Sequence, residues 1–152
     1  RSGGPITITT ENMTRFLLPL PIAIDLVLFA LNNAQNGDIF IRKAPASTIG
    51  NIAKSMLDIF NSNVDIKNIG IREGEKFHET LVTQEELIRA EDLVDFYRIQ
   101  YLMQLDYDEY FSHGKNNHIP VEGYTSENTE RLNLEETKKL ILSLPEIQEA
   151  LG

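Results

Sequence analysis

The alternation of short apolar runs with helix-patterned runs is the feature that most constrains the fold of this chain. Residues 6–9 alternate branched side chains as a strand does, and 38–41 and 66–71 are further strand candidates, the first of them buried. Between them, residues 21–35 and 49–60 carry apolar side chains at helical spacing. The order strand, helix, strand, helix, strand is typical of parallel α/β packing with right-handed connections. We therefore predict an α/β fold of short parallel strands and amphipathic helices.

Capping signals predict where several helices begin. Residues 46–48 offer an N-cap for the second helix. Thr83, followed three residues later by Glu86, predicts a capping box for a helix that runs to about Ala90. Two further features complete the pattern, a strand at 96–99 and a helical tail that begins near Leu132 and restarts at Pro145.

Composition narrows the class of protein. A chain of 152 residues with 41% hydrophobic content can bury a core. Its net charge of −9 opposes non-specific attraction to nucleic acid or an anionic membrane, so an anionic ligand would need local cations. The absence of cysteine excludes disulfides and thiol-based metal or redox sites.

One apolar run invites a membrane interpretation. Residues 16–31 are interrupted by Pro19, Pro21 and Asp25, and a spanning helix needs about 20 predominantly apolar residues. We therefore predict a buried amphipathic helix, no membrane span and a cytoplasmic location. Because the chain opens on Arg1 without a methionine or a secretion signal, we expect it to start within a longer protein.

Arg72 is the most conspicuous candidate for ligand binding. It lies at the predicted carboxyl end of the strand 66–71, the edge at which α/β folds bind ligands, and a guanidinium matches phosphate oxygens. Gly74 permits a tight turn, and Glu75 can accept hydrogen bonds from vicinal hydroxyls. From the residues alone, a solvated charged turn remains the commoner interpretation, and Arg15 remains equally open to a surface role.

Other chemistry finds little support in the sequence. The spacing of His78, His113 and His118 does not match a helical metal pair, so no metal is expected. The glycine motif of dinucleotide-binding folds, the Walker loop, G-x-S-x-G and Tyr-x-x-x-Lys are all absent, so we assign no catalytic residue. The aromatic and acidic stretch 101–111 is better suited to packing on a partner subunit than to nucleic acid.

A set of stretches in family order covers nearly the whole chain. They are PITIT (5–9), NMTRF (12–16), DLVLFA (25–30), GDIFI (37–41), KAPASTI (43–49), REGEK (72–76), ETL (79–81), AED (90–92), YRI (97–99), LDY (105–107) and YTSENTERL (124–132). Together they resemble the C-terminal part of an extended short-chain dehydrogenase/reductase with a Rossmann-like fold. More narrowly, they resemble the UDP-N-acetylglucosamine 4,6-dehydratase and 4-epimerase group of capsule and surface polysaccharide synthesis.

The resemblance implies roles for individual residues. Arg15 and Arg72 would grip the substrate pyrophosphate, and Glu75 would hold the uridine ribose. The uracil edge would be read by the backbone of three neighbouring residues, Thr7, Ile8 and Thr9. The chain departs from the pattern at Glu73, where relatives place His or Pro, and at 100–104, which is more apolar than the usual turn.

The resemblance also implies an organisation and partners. It divides the chain into a nucleotide-sugar-binding portion (1–99), an arm or long loop (100–123) and a short C-terminal helical domain (124–152). NAD(P) and the catalytic Tyr-x-x-x-Lys pair would belong to an N-terminal Rossmann portion of the intact enzyme, so this chain alone would not catalyse. The expected partners are a UDP-sugar, that Rossmann portion and a second copy in a homo-oligomer, without nucleic acid.

Three functions remain open at this point. The first is the UDP-sugar-binding portion of a 4,6-dehydratase, with or without 5-epimerisation; the second is a UDP-sugar 4-epimerase. The third is a non-catalytic interaction module. The sequence does not separate dehydration from epimerisation, NAD from NADP, or one sugar from another.

Overall fold

The computed structural model describes residues 4–101 and 122–152. In these ranges short strands alternate with helices, and the fold is mixed α/β as predicted. The elements are β1 (Ile6–Ile8), β2 (Thr14–Phe16), α1 (Leu20–Asn33), β3 (Ile39–Arg42), β4 (Ala46–Thr48), α2 (Ile49–Ile59), β5 (Ile66–Asn68), β6 (Thr80–Val82), α3 (Gln84–Ile88), β7 (Ala90–Asp92), β8 (Phe96–Ile99), β9 (Tyr124–Thr125), α4 (Leu134–Leu142) and α5 (Pro145–Leu151).

The first of two compact units combines the described residues of Arg1–Leu17, Ala44–Glu79 and Ser126–Gly152. Its strands form two separate pairs, β1 parallel to β5 and β2 antiparallel to β4. Helices α2 and α4 pack on each other. Distant parts of the sequence therefore share one unit.

Capping and buried hydroxyls fix the helices of this unit. Thr48 caps α2 by accepting a hydrogen bond from the Asn51 N–H at 3.0 Å, as the sequence predicts. Helix α4 begins with a reciprocal capping box between Asn133 and Glu136. Between the two helices, the Ser55 hydroxyl donates to a backbone carbonyl of α4 at 3.3 Å. The buried Ser55 hydroxyl thus has a partner in the neighbouring helix.

The second unit combines the described residues of Leu18–Lys43 and Thr80–Thr125. Strand β8 lies between β3 and β7 in an antiparallel sheet, and β6 pairs with β9. Helix α1 packs on this sheet through Phe29, whose ring stacks on Phe96 with centroids 4.3 Å apart. The predicted capping box of Thr83 and Glu86 is confirmed at the start of α3, which ends at Ile88.

Two predictions about strands are wrong. Strand β3 is neither buried nor parallel, because Ile39 is 54% exposed and β3 pairs antiparallel with β8. Strand β5 ends at Asn68 instead of at residue 71. Only β1 and β5 pair in parallel among the described strands. The periodicity of a strand does not reveal its partner, which for β3 lies far along the chain.

The prediction that α1 is buried is also wrong. None of its residues is buried in the part of the chain that the structure describes. Its large exposed side chains are Leu20, Ile24, Val27, Leu28 and Leu31. Within the described ranges, no helix has both the length and the apolar character needed to cross a bilayer.

The division at residues 99 and 123 into domains stays a prediction. Most of the predicted arm at 100–123 lies outside the described residues.

One ion pair fastens β3 to β8 in the second unit. Asp38 is fully shielded and accepts hydrogen bonds from Arg98 Nε at 2.8 Å and from the Gln35 N–H at 2.9 Å, with Arg98 Nη2 at 2.7 Å. Burial raises the pKa of the Asp38 carboxyl, but the Gln35 hydrogen bond and the Arg98 guanidinium outweigh burial, and the pKa falls below its ordinary value. The native state therefore favours the charged form of Asp38.

We predict that Asp38→Asn lowers the free energy of unfolding by about 1.5 to 3 kcal/mol, because charge-assisted hydrogen bonds are lost. Since the folded pKa of Asp38 lies below the unfolded value of about 3.9, its contribution is present above that pH and is lost as pH falls through the folded pKa. Urea unfolding at neutral and acidic pH measures both effects. Asp25→Asn, at an exposed site of α1, is the matched control. Equal stability of the two variants at neutral pH would contradict the assignment.

Candidate functional site

Arg72 lies in a tight turn beyond β5. The Glu75 N–H donates to the Arg72 carbonyl at 3.1 Å, and Gly74, third in the turn, has φ +81°. This arrangement matches a type II turn, whose third position favours glycine. Because β5 ends at Asn68, Arg72 does not stand directly at the strand end as expected. The turn instead presents Arg72 with an exposed side chain.

Arg15 is held in β2 by the chain's own groups. Its Nη1 donates to the carbonyls of Thr14 at 2.7 Å and Phe77 at 3.3 Å. Nε lies 3.5 Å from a carboxylate oxygen of Glu79, and Nη2 lies 3.5 Å from one of Glu75. Arg15 remains 23% exposed, so it is oriented by the protein and still reachable from solvent.

Glu75 joins the two segments that carry the predicted arginines. Its Oε1 faces Arg15, and its Oε2 accepts a hydrogen bond from the backbone N–H of Arg72 at 3.3 Å. Glu75 therefore contacts the Arg15 side chain and the Arg72 backbone, and we call these three residues the Glu75 cluster. The structure brings Arg15 next to the Arg72 turn although Arg15 is remote from that turn in sequence. Their roles in binding a ligand stay predictions.

The other predicted residues lie in and just after β1. The carbonyls of Ile8 and Thr9 accept hydrogen bonds from the backbone N–H groups of Ile69 at 2.8 Å and Gly70 at 3.0 Å. Because alternate residues of a parallel pair direct their backbone groups to the partner strand, Thr7 directs its own N–H and C=O to the opposite edge of β1. Of these three residues, Thr7 has the backbone best placed for an outside partner.

A buried group of hydroxyls beside the Glu75 cluster was not found from the sequence. The Thr14 hydroxyl lies 2.7 Å from His78 Nδ1 and 2.7 Å from the Ser126 hydroxyl. Both Thr14 and Ser126 are completely buried. They are 112 positions apart. The only sequence signal was that both fall in the stretches NMTRF and YTSENTERL.

The residue types of the site are suited to binding a polar ligand. Guanidinium groups can hold an anion, and a carboxylate can accept hydrogen bonds from hydroxyls. Over residues 4–101 and 122–152, no group of three or more His, Asp or Glu side chains is placed to hold a metal ion. His113 and His118 lie outside those ranges.

Comparisons with known proteins identify the family of the chain. A family model described as polysaccharide biosynthesis protein matches residues 1–101, and one described as polysaccharide biosynthesis protein C-terminal matches residues 103–148. The chain is 49% identical to a protein named UDP-glucose 4-epimerase from Rickettsia rickettsii (strain Sheila Smith), over 99% of this chain and 45% of the relative. It is 50% identical to the protein of the same name from Rickettsia bellii (strain OSU 85-389), over 96% of this chain and 43% of the relative.

A solved structure has a similar fold. The X-ray structure of Pen from Bacillus thuringiensis matches with a TM-score of 0.76 and 29% identity, over 97% of this chain and 41% of that one. The chain thus spans less than half the length of the curated relatives that it matches. By the family match over residues 1–101 and 103–148, the chain belongs to the polysaccharide biosynthesis protein family.

Proposed function

We propose that this chain binds the UDP moiety of a nucleotide sugar as part of an enzyme of surface polysaccharide synthesis. The observation that carries the proposal is the Glu75 cluster, in which one carboxylate contacts both the Arg15 guanidinium and the Arg72 backbone. A charged cluster of this kind offers cations for a diphosphate next to an acceptor for ribose hydroxyls. The names of the curated relatives support the same class of substrate.

The contacts of Arg15 suggest how a diphosphate would engage it. Nε and Nη1 face groups of the chain itself, whereas Nη2 carries one more N–H than its contact with Glu75 uses. Partly exposed ion pairs contribute only about 0 to 1 kcal/mol, so a diphosphate can also replace Glu75 at Arg15 at little cost. Glu75 would then be free for the ribose, and the exposed guanidinium of Arg72 would supply the second cation.

We also propose that the cofactor of such an enzyme binds outside this segment. In the described ranges β1 leads through a turn to β2, and β5 leads to the Arg72 turn, so neither parallel strand continues through a glycine-rich turn into a helix. We therefore place NAD(P) outside this segment and assign no reaction step to these residues. Their contribution is to grip the nucleotide, so that binding energy from the unreactive part of the substrate orients the sugar.

The reaction that we favour is 4-epimerisation of a UDP-sugar. It is the activity in the names of relatives that are 49% and 50% identical to this chain. The motif resemblance supports a second candidate, 4,6-dehydration of UDP-N-acetylglucosamine with or without 5-epimerisation. Both candidate reactions require the same binding of the UDP moiety.

Product analysis separates the two reactions. The complete gene product is incubated with NAD(P) and either UDP-glucose or UDP-N-acetylglucosamine, and the products are identified by mass and NMR. A product of unchanged mass with inverted C4 indicates epimerisation, whereas loss of water indicates dehydration. No conversion of either substrate together with no UDP binding would refute the proposal.

Substitution of the arginines tests the nucleotide grip directly. We predict that Arg15→Gln and Arg72→Gln each weaken UDP binding by roughly tenfold to a hundredfold, because each removes a charge-assisted hydrogen bond of about 1.5 to 3 kcal/mol. Calorimetric titration with UDP measures the affinity. Arg89→Gln removes an exposed guanidinium outside the cluster and serves as the control. Unchanged affinity in both test variants would remove the basis of the assignment.

Gly74 tests whether the turn presents Arg72. We predict that Gly74→Ala destabilises the turn by about 1 kcal/mol and weakens UDP binding severalfold, because φ +81° is unfavourable for alanine. An added Cβ meets no atom within 4 Å, so the effect is one of backbone conformation alone. Gly4→Ala, also without neighbours and without positive φ, is the matched control. If both variants bind UDP like the wild type, the turn does not present Arg72.

A further inference from the structure

Ser126 makes an unusual number of contacts for one small side chain. Its N–H donates to the Glu79 carbonyl at 2.8 Å, and its hydroxyl oxygen accepts from the Glu79 N–H at 2.9 Å. The same hydroxyl lies 3.2 Å from the Thr14 carbonyl, to which it donates. Ser126 is completely buried. Its hydrogen bonds therefore link the backbone of Glu79 to that of Thr14.

Glu79 and Thr14 are also two of the residues that hold the Arg15 guanidinium. The Thr14 carbonyl that accepts from Ser126 also accepts from Arg15 Nη1 at 2.7 Å. The Glu79 carboxylate lies 3.5 Å from Arg15 Nε. One buried hydroxyl thus lies directly behind two of the groups that orient Arg15.

The hydrogen-bond pattern is internally consistent. If the Ser126 hydroxyl donates to the Thr14 carbonyl, its oxygen is left to accept from the Glu79 N–H and from the Thr14 hydroxyl. The Thr14 hydroxyl then accepts from His78 Nδ1–H. Both hydroxyls are satisfied in this arrangement, and loss of the Ser126 hydroxyl removes the acceptor of the Glu79 N–H and of the Thr14 hydroxyl.

We propose that Ser126 is a positioning residue, which orients the Arg15 guanidinium through Thr14 and Glu79. Ser126 lies in the region matched by the C-terminal family model, whereas Arg15, Thr14 and Glu79 lie in the region matched by the other. The C-terminal segment thereby takes part in shaping the Glu75 cluster. The predicted effect on ligand affinity rests on the proposed function. The predicted effect on the orientation of Arg15 does not depend on that function.

Ser55 is a matched control for a structural role. It is as completely buried as Ser126, and its hydroxyl donates to the Leu134 carbonyl at 3.3 Å between α2 and α4. This hydrogen bond involves neither Arg15 nor the residues that hold it. Ser55→Ala therefore removes a buried hydroxyl without touching the support of Arg15.

The orientation of Arg15 is tested by NMR without any ligand. The Nε–H signal of Arg15 is assigned by its loss in Arg15→Gln, and its exchange with solvent is measured in each variant. We expect Ser126→Ala to speed this exchange by about tenfold, and Ser55→Ala to leave it unchanged. Should Ser126→Ala fail to fold, Ser126→Cys keeps a small side chain with a weaker donor. Wild-type exchange in the Ser126 variant, or equal acceleration in Ser55→Ala, overturns the proposal.

A double-mutant cycle, measured by UDP affinity, tests whether Ser126 acts through Arg15. Ser126→Ala is expected to weaken UDP binding severalfold in the wild type and to have no further effect in Arg15→Gln, because the two residues act through one group. An equal loss in both backgrounds overturns the proposal. If Arg15→Gln binds UDP as tightly as the wild type, the role proposed for Arg15 in UDP binding fails, and Nε–H exchange still decides the role of Ser126.

Discussion

The first unit depends on a buried junction of hydroxyl and backbone groups between residues remote in sequence. The Thr14 and Ser126 hydroxyls meet at 2.7 Å in a site without solvent access. A buried hydroxyl without a partner costs on the order of 1 to 3 kcal/mol, and here each hydroxyl has the other and at least one further group as partners. Since β2 carries both Thr14 and Arg15, this junction also determines where the charged cluster forms.

The charge distribution explains why the cluster must be local. With a net charge of −9, the chain as a whole repels anions, and only nearby guanidinium groups can reverse that effect. Arg15 lies between two carboxylates, which hold it in place but also compete with any anion. Arg72 is exposed at a turn and, among the described residues, does not lie between two carboxylates as Arg15 does. The two arginines are thus complementary, one oriented by the protein and one accessible.

The sequence predicted the local features of the fold well and the pairings poorly. The Thr48 cap, the Thr83 capping box and the glycine in the Arg72 turn depend on side chains within three residues of the groups they contact, so a linear pattern contains them. The partner of β3 is β8, which pairs Ile39 with Ile99, and no periodicity in residues 38–41 indicates that choice. The burial predicted for α1 failed for a related reason, since an apolar run does not specify what covers it.

The candidate site likewise combines local features that the sequence predicts with long-range contacts that it does not. Residue types alone made Arg72 and Glu75 candidates for ligand binding, excluded thiol chemistry and showed that Gly74 could form a tight turn. The nucleotide-binding roles of Arg15, Arg72 and Glu75 came from the family resemblance and stay predictions. Only the tertiary structure decided that Glu75 contacts both arginine-bearing segments and that Ser126 contacts Thr14 and Glu79, two of the residues that contact Arg15. The physical reason is range: caps and turns are formed by neighbours in the chain, whereas ion pairs and buried hydroxyl networks depend on which distant segments the folded core brings together.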